Sequence, residues 1–263
     1  MTGLQSHDEM CGGFLGSEMI ILAGRPGEGK TVFGMQISKH AAMRGTKTLF
    51  VSLEMKDQEL VSRMLCGMSG VNSLLIRNGT YTEDHTLQIE EASSTIGVLP
   101  LYVWDKAAST VAKIRAVAKQ MKSDDSLDFL VVDYLGKVKP SDYRVSRVDQ
   151  IGQIARDLKD LAKELDIPVL VLCQLNRGAD DEVPKLKNLA DSADVEREAD
   201  VVLFLHPDRK SGRTKLIIAK HRHGETGLLE IQHDKRRMCF VEPEPDWVHD
   251  QEARAQHDFE QLQ

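Results

Sequence analysis

A glycine-rich segment near the amino terminus has the composition of a phosphate-binding loop. Residues 24–31 fit the pattern G-x-x-x-x-G-K-[ST] and lie between an apolar run and an amphipathic stretch. The glycines let successive backbone N–H groups turn toward one point, where the following helix adds partial positive charge. Lys30 then neutralises the β- and γ-phosphates, and the hydroxyl of Thr31 binds Mg²⁺. The segment predicts a nucleoside triphosphate site formed by Gly24, Arg25, Pro26, Gly27, Glu28, Gly29, Lys30 and Thr31.

Three polar residues directly follow apolar runs that have the pattern of buried strands. Because the carboxyl ends of parallel strands meet at one edge of a sheet, we expect all three beside the phosphate loop. Asp133 is suited to hold Mg²⁺. Glu54 either polarises the attacking water or is a solvated loop residue, and its position alone does not choose between them. The amide of Gln174 can donate to a phosphate and accept from a neighbour. The three runs are residues 48–53, 129–132 and 169–173.

The elements that position these residues alternate along the chain, which predicts an α/β fold with a mostly parallel sheet between helices. After residue 201 the strands leave no room for crossover helices, so we expect antiparallel strands at the carboxyl-terminal edge. Predicted strands are 19–23, 48–53, 101–104, 129–132, 169–173, 201–205 and 215–219, and the main predicted helices are 31–44, 58–68, 110–121 and 147–165.

Composition limits the function classes. The 34 Lys and Arg against 41 Asp and Glu give a net charge of −7, which excludes a globally basic nucleic-acid binder but leaves a local basic channel open. The apolar runs are too short to span a membrane, and residues 1–10 do not resemble a secretory signal, so we expect a cytoplasmic protein. The four cysteines are dispersed, so we expect neither disulfides nor structural zinc. We expect one domain over residues 1–241 and a flexible acidic tail over 242–263.

Five stretches together resemble the helicase domain of bacterial and phage replicative DNA helicases of the DnaB type, which has a RecA-like P-loop ATPase core. Their order and spacing also match, and the likeness runs from about residue 2 to residue 241. A general RecA-like ATPase shares the phosphate loop and Asp133, but not residues 52–55 or the pair of Lys220 and Arg222. The five are 24–31; 52–55 with Leu60, Arg63 and Met64; 131–135; 172–177; and 220–224 with Gly227.

The resemblance implies a role for each matching residue, with ATP and Mg²⁺ as cofactors. Glu54 corresponds to the base that activates water, and Asp133 to a Mg²⁺ residue. Gln174 corresponds to the link between the γ-phosphate and DNA. Lys220 and Arg222 correspond to residues that reach the neighbouring subunit's nucleotide, where a cation neutralises charge that grows in the transition state.

The resemblance also implies partners. Members of the family form rings of six subunits around single-stranded DNA and engage primase and a helicase loader. Two loops, residues 136–147 and 177–194, correspond to those that face the channel. The expected DNA contacts are Lys137, Lys139, Arg144, Arg147, Lys185 and Lys187, although such charges are also typical of a solvated surface.

The sequence departs from the family pattern in three places. About 18 residues precede the first predicted strand, whereas the family usually has an amino-terminal domain and a linker helix, so we expect an excised domain or a short form. Ala190 and Ala193 replace an Arg and a Gly that commonly contact DNA. Gly136 replaces a common Gln.

Three functions follow from these observations. The leading hypothesis is an ATP-driven motor that moves on single-stranded DNA and unwinds duplex. The alternatives are a RecA-type recombinase or repair ATPase that does not unwind, and a regulatory module whose nucleotide state controls a protein partner.

Overall fold

The computed structural model describes residues 2–175, 183–189, 193–208 and 211–243. In these ranges nine strands form one sheet in the order β3-β2-β4-β5-β1-β6-β7-β8-β9. The strands are β1 (Met19–Gly24), β2 (Thr48–Ser52), β3 (Leu101–Trp104), β4 (Phe129–Asp133), β5 (Val169–Gln174), β6 (Val201–Pro207), β7 (Thr214–His221), β8 (Gly227–Asp234) and β9 (Cys239–Val241).

The sheet has a parallel part and an antiparallel part. Strands β1 to β6 pair in parallel, and every residue of β1, β2 and β4 is buried because helices cover both faces. Strands β7, β8 and β9 continue as antiparallel hairpins. The predicted α/β fold with an antiparallel carboxyl-terminal edge is therefore confirmed.

The longest predicted helices are also present. Helix α7 buries one apolar face against the sheet, and the hydroxyl of its cap, Ser146, accepts a hydrogen bond from the backbone N–H of Asp149. The helices in the described ranges are α1 (Gln5–Cys11), α2 (Lys30–Met43), α3 (Asp57–Ser69), α4 (Ser73–Asn78), α5 (Glu83–Gly97), α6 (Val111–Asp125), α7 (Arg147–Leu165) and α8 (Ala193–Glu198).

Helices α1, α4, α5 and α8 were not among the predicted elements. Three of them have only six or seven residues, too few for a hydrophobic period to be recognised. Helix α5 is longer but buries only Ala92, so it lacks a broad apolar stripe.

In the described ranges, no helix has the length and apolar character needed to cross a membrane. The predicted acidic tail begins at Glu242, whose carboxylate accepts a hydrogen bond from the backbone N–H of Ser6 at 2.7 Å. Residues 244–263 of that segment lie outside the described part of the chain, so its predicted flexibility stays a prediction.

Candidate functional site

The register of the parallel strands brings four strand ends together. Ser52 lies opposite Asp133 across β2 and β4, and Gly24 lies opposite Gln174 across β1 and β5. Because β4 and β5 are neighbours, these four ends form one continuous edge. The predicted grouping of Asp133, Gln174 and the phosphate loop at one edge is therefore present, and Glu54 follows Ser52 at the same edge.

The phosphate loop has the backbone geometry that its glycines permit. Gly27 and Gly29 have φ angles of +81° and +90°, in the left-handed region that favours glycine, and Gly29 caps α2. A Cβ atom at Gly29 would lie 2.7 Å from His233 and 2.9 Å from Phe240. A side chain at this position is therefore excluded both by conformation and by contact with the β8–β9 hairpin.

Lys30 lies at the first turn of α2 and is 8% exposed. Its ammonium donates to the carbonyl oxygens of Gly24 at 2.8 Å and Arg25 at 2.7 Å, both in the phosphate loop. Burial lowers the pKa of Lys30, and the nearby carboxylates of Glu28 and Asp133 oppose that effect. These bonds hold a cation inside the loop, where a phosphate would meet it.

Asp133 and Thr31 form a hydrogen-bonded pair beneath the loop. Asp133 is 3% exposed, and burial raises the pKa of its carboxyl to about 6. The hydrogen bond from Thr31 opposes the rise, and the charge of Glu54 adds to it. A hydroxyl and a buried carboxylate next to a triphosphate loop are the hard oxygen ligands that Mg²⁺ prefers, so the residues present fit this ion.

A cleft of about 590 Å³ joins these groups. Glu54 is exposed at this cleft, which also receives side chains of α3 and of the β8–β9 hairpin. The sequence analysis assigned no site role to these additional residues. The basic run at residues 235–237 is a sequence signal that could have indicated the hairpin residues, but no local pattern links it to residues 24–31. The additional lining residues are Val32, Met55, Glu59, Arg63, Tyr134, His233, Lys235 and Met238.

Tyr134 connects the cleft with the first predicted DNA loop. Its side chain is hydrogen-bonded to Gln174, and a Cβ atom at Gly136 would lie 2.8 Å from its ring. Arg147 donates to the carbonyl oxygen of Gly136 at 2.7 Å. The Gly at position 136 therefore permits a close approach of the Tyr134 ring and the backbone, which accounts for the third departure from the family pattern.

The six basic residues predicted to contact DNA lie at the surface, and all of them are exposed. The ammonium of Lys137 lies 6.0 Å from the centre of the Tyr134 ring. Arg144 forms two hydrogen bonds of 3.0 and 2.9 Å with Asp142, which offset its charge. In the second loop, Lys185 caps a short 3₁₀ helix, Leu186–Asn188, and Lys187 lies within it. Residues 176–182 and 190–192, including Ala190, lie outside the described ranges, and Ala193 begins α8.

Lys220 and Arg222 lie near the amino-terminal ends of the parallel strands, opposite the end that carries the phosphate loop. His221, between them, pairs with Val201 at the start of β6, whereas Gly24 pairs with Leu205. Four residues of a strand separate the two levels by roughly 13 Å. The guanidinium of Arg222 bonds to Asp200 at that amino-terminal end, and the Arg222 side chain is 47% exposed. The structure therefore does not bring these two cations to the phosphate loop of their own chain.

Comparisons with known proteins agree with this arrangement. Residues 1–242 match the family described as DnaB-like helicase C terminal domain. The chain is 36% identical to the replicative DNA helicase DnaB of Treponema pallidum over 91% of this chain and 55% of that protein. It is 33% identical to the DnaB of Geobacillus stearothermophilus over 91% of this chain and 56% of that protein. The chain thus spans about half the length of these curated relatives.

Two solved structures have the same fold. One is described as an ATPase domain and superposes with a TM-score of 0.88 at 29% identity, covering 93% of this chain and 91% of that chain. The other is a DnaB-like replicative helicase described together with its interactions with primase. It superposes with a TM-score of 0.88 at 30% identity, covering 93% of this chain and 62% of that chain. The predicted RecA-like ATPase architecture is confirmed by these likenesses.

Proposed function

The chain belongs to the family of DnaB-like helicase C-terminal domains, and we propose that it is the ATP-hydrolysing motor of a replicative DNA helicase. In this proposal, subunits in a ring of six hydrolyse ATP between them, move along single-stranded DNA and unwind the duplex ahead. Of the three functions raised by the sequence, this is the one that the family match supports.

The observation that carries the proposal is that the phosphate loop and the two cations proposed to complete its site lie at opposite ends of the parallel strands. The phosphate loop lies at the carboxyl end of β1, and Lys220 and Arg222 lie near its amino end. One subunit can complete the site of the next only through a head-to-tail contact. Repetition of that contact generates a ring where the rotation closes and a filament where it does not, and we propose the ring because the family match is to helicases.

Each residue of the cleft that the sequence analysis singled out has a role in this proposal. Lys30 and the loop N–H groups bind the phosphates of ATP, and Thr31 and Asp133 hold Mg²⁺, which neutralises phosphate charge when bound. Glu54 accepts a proton from the attacking water, because it is an exposed carboxylate at the same cleft. Gln174 senses the γ-phosphate, and its hydrogen bond to Tyr134 extends toward the first DNA loop.

The proposed DNA contacts are phosphate contacts made by exposed lysines and arginines of the two loops. Lys137 and Arg147 support this assignment best, because they lie beside Tyr134 and Gly136, next to the cleft. Primase and a loader are proposed further partners, since one structural neighbour is described with primase. We place the protein in the cytoplasm, where bacterial and phage DNA is replicated.

A mixing experiment tests the shared site. Lys30→Ala subunits lack phosphate binding, and Arg222→Ala subunits lack the arginine, so each is inactive alone. Mixed oligomers should regain ATPase activity and strand displacement, because an intact Arg222 then faces an intact phosphate loop. Oligomers shown by native mass spectrometry to be mixed, yet inactive, would contradict action between subunits. ATPase activity without displacement of a labelled strand would contradict the helicase assignment.

A further inference from the structure

Asp200 lies between Arg222 and the start of β1 and is 4% exposed. One carboxylate oxygen accepts from the guanidinium of Arg222 at 2.9 Å. The other accepts from the ammonium of Lys159 at 2.6 Å and from the backbone N–H of Met19 at 2.8 Å. Both oxygens of this buried carboxylate thus accept hydrogen bonds, and one of them bonds only to Arg222 among these partners.

Lys159 holds Asp200 from the other side. It projects from the apolar face of α7, is 8% exposed, and also donates to the carbonyl oxygen of Ser17 at 2.7 Å. A buried ammonium and a buried carboxylate are each costly unless paired and hydrogen-bonded, so the pair has one well-defined geometry. The carboxylate that Arg222 contacts is therefore fixed by the core.

The end of α8 provides the remaining contacts. The ammonium of Lys220 donates to the carbonyl oxygen of Glu196 at 2.6 Å, and the second Nη of Arg222 donates to that of Arg197 at 3.1 Å. The backbone N–H of Arg222 also donates to the carbonyl oxygen of Asp200 at 2.9 Å. These bonds orient the guanidinium, while almost half of the Arg222 side chain stays exposed.

We infer that Asp200, held in place by Lys159, is the positioning residue for Arg222 and thereby sets the hydrolysis rate in the neighbouring subunit. The inference rests on the proposed function, because it needs Arg222 to act between subunits. A long arginine side chain loses rotamer freedom when it is ordered, and Asp200 removes that freedom before the subunits meet. Displacement of a catalytic group by about 1 Å costs about a hundredfold in rate.

The test places Asp200→Asn in one of two kinds of subunit. In mixed oligomers, Lys30→Ala subunits donate Arg222 and Arg222→Ala subunits donate the phosphate loop. Asp200→Asn in the arginine donor should lower kcat by about tenfold to a hundredfold with little change in the KM for ATP. The same substitution in the phosphate-loop donor should change neither, because that subunit has no Arg222 to position.

The two placements separate positioning from a structural role. Asp200 also bonds to Met19 at the start of β1, so general damage to the fold would impair the phosphate-loop donor as well. Equal loss in both placements, or no loss in either, would overturn the inference. Lys159→Met provides a second variant that keeps Asp200, and it should lower kcat only in the arginine donor. If unmodified donors fail to complement each other, the proposed function fails first, and the control mixture shows this.

Discussion

At the scale of single residues, Lys30 and Glu54 occupy one cleft but have different chemistry. Lys30→Ala removes the buried cation that the loop carbonyls hold, so tight binding of ATP should be lost. Glu54→Gln keeps the shape and removes only the base, so ATP should bind normally while kcat falls by about a hundredfold or more. Binding of a fluorescent ATP analogue and steady-state hydrolysis measure the two effects.

The control for this pair is Glu164→Gln, which neutralises an exposed carboxylate on α7 that is paired with Lys119. It should affect neither binding nor hydrolysis. Hydrolysis at the normal rate by Glu54→Gln would show that Glu54 is not the base, and a water held by Gln174 would be the next hypothesis.

The raised pKa of Asp133 predicts how the affinity for Mg²⁺ and nucleotide depends on pH. Its carboxyl has a pKa raised to about 6 by burial, so it is protonated below that pH and ionised above it. Mg²⁺ requires the ionised form, so the contribution of Asp133 to the affinity for Mg²⁺ and nucleotide should be present above pH 6 and fall about tenfold per pH unit below it. Titration of a fluorescent ATP analogue between pH 5 and pH 8, with Mg²⁺ or with EDTA, measures this contribution.

Asp133→Asn separates this effect from titration of the nucleotide itself. The variant should bind more weakly at pH 7.5 in the presence of Mg²⁺ and should lack the additional loss below pH 6. Parallel pH curves for the two proteins would contradict a role of the Asp133 carboxylate in holding the ion.

At the scale of elements, the two surface loops supply the predicted contacts with DNA. Replacing Lys137, Lys139, Lys185 and Lys187 together by Gln removes four exposed charges. Single-strand affinity should fall, and its salt dependence should become shallower, because fewer counterions are released on binding. DNA stimulation of hydrolysis should be lost, while basal hydrolysis stays because the phosphate loop is unchanged. Fluorescence anisotropy with an oligonucleotide and an ATP analogue measures the affinity at several salt concentrations.

A matched control removes the same charge elsewhere. Arg44, Arg77, Lys119 and Lys163 are also exposed, but they lie at the ends of α2 and α4, on α6 and near the end of α7. Their replacement should leave the salt dependence nearly unchanged. Equal affinity in the two fourfold variants would mean that the loops do not hold DNA, and the regulatory alternative would gain support.

At the scale of the whole molecule, the proposed site shared between subunits would make activity depend on assembly. Specific ATPase activity should rise with protein concentration and reach a plateau where native mass spectrometry shows complete oligomers. Arg222→Ala should assemble over the same concentration range yet stay inactive, because Asp200 keeps its bonds to Lys159 and Met19 when the arginine is lost. Specific activity independent of concentration, with monomers present, would contradict the shared site.

Local sequence determined the phosphate loop and the strand ends around it. Residues 24–31 are contiguous, and their glycines, lysine and threonine act within one strand, loop and helix. The apolar runs before Asp133 and Gln174 end where the strands end, so a parallel sheet necessarily brings them to one edge. Identities and spacing therefore predicted the fold class and which residues lie together at this end of the strands.

Only the tertiary structure decided where Lys220 and Arg222 lie and what holds them. Their position follows from the antiparallel pairing of β6 and β7, which places them at the opposite end of the strands from the phosphate loop. Asp200 meets Lys159 across 41 positions of sequence, and the β8–β9 hairpin reaches Gly29 across more than 200. Such contacts leave no local pattern, because periodicity and capping report only on neighbours within an element, whereas strand order and packing bring distant residues together.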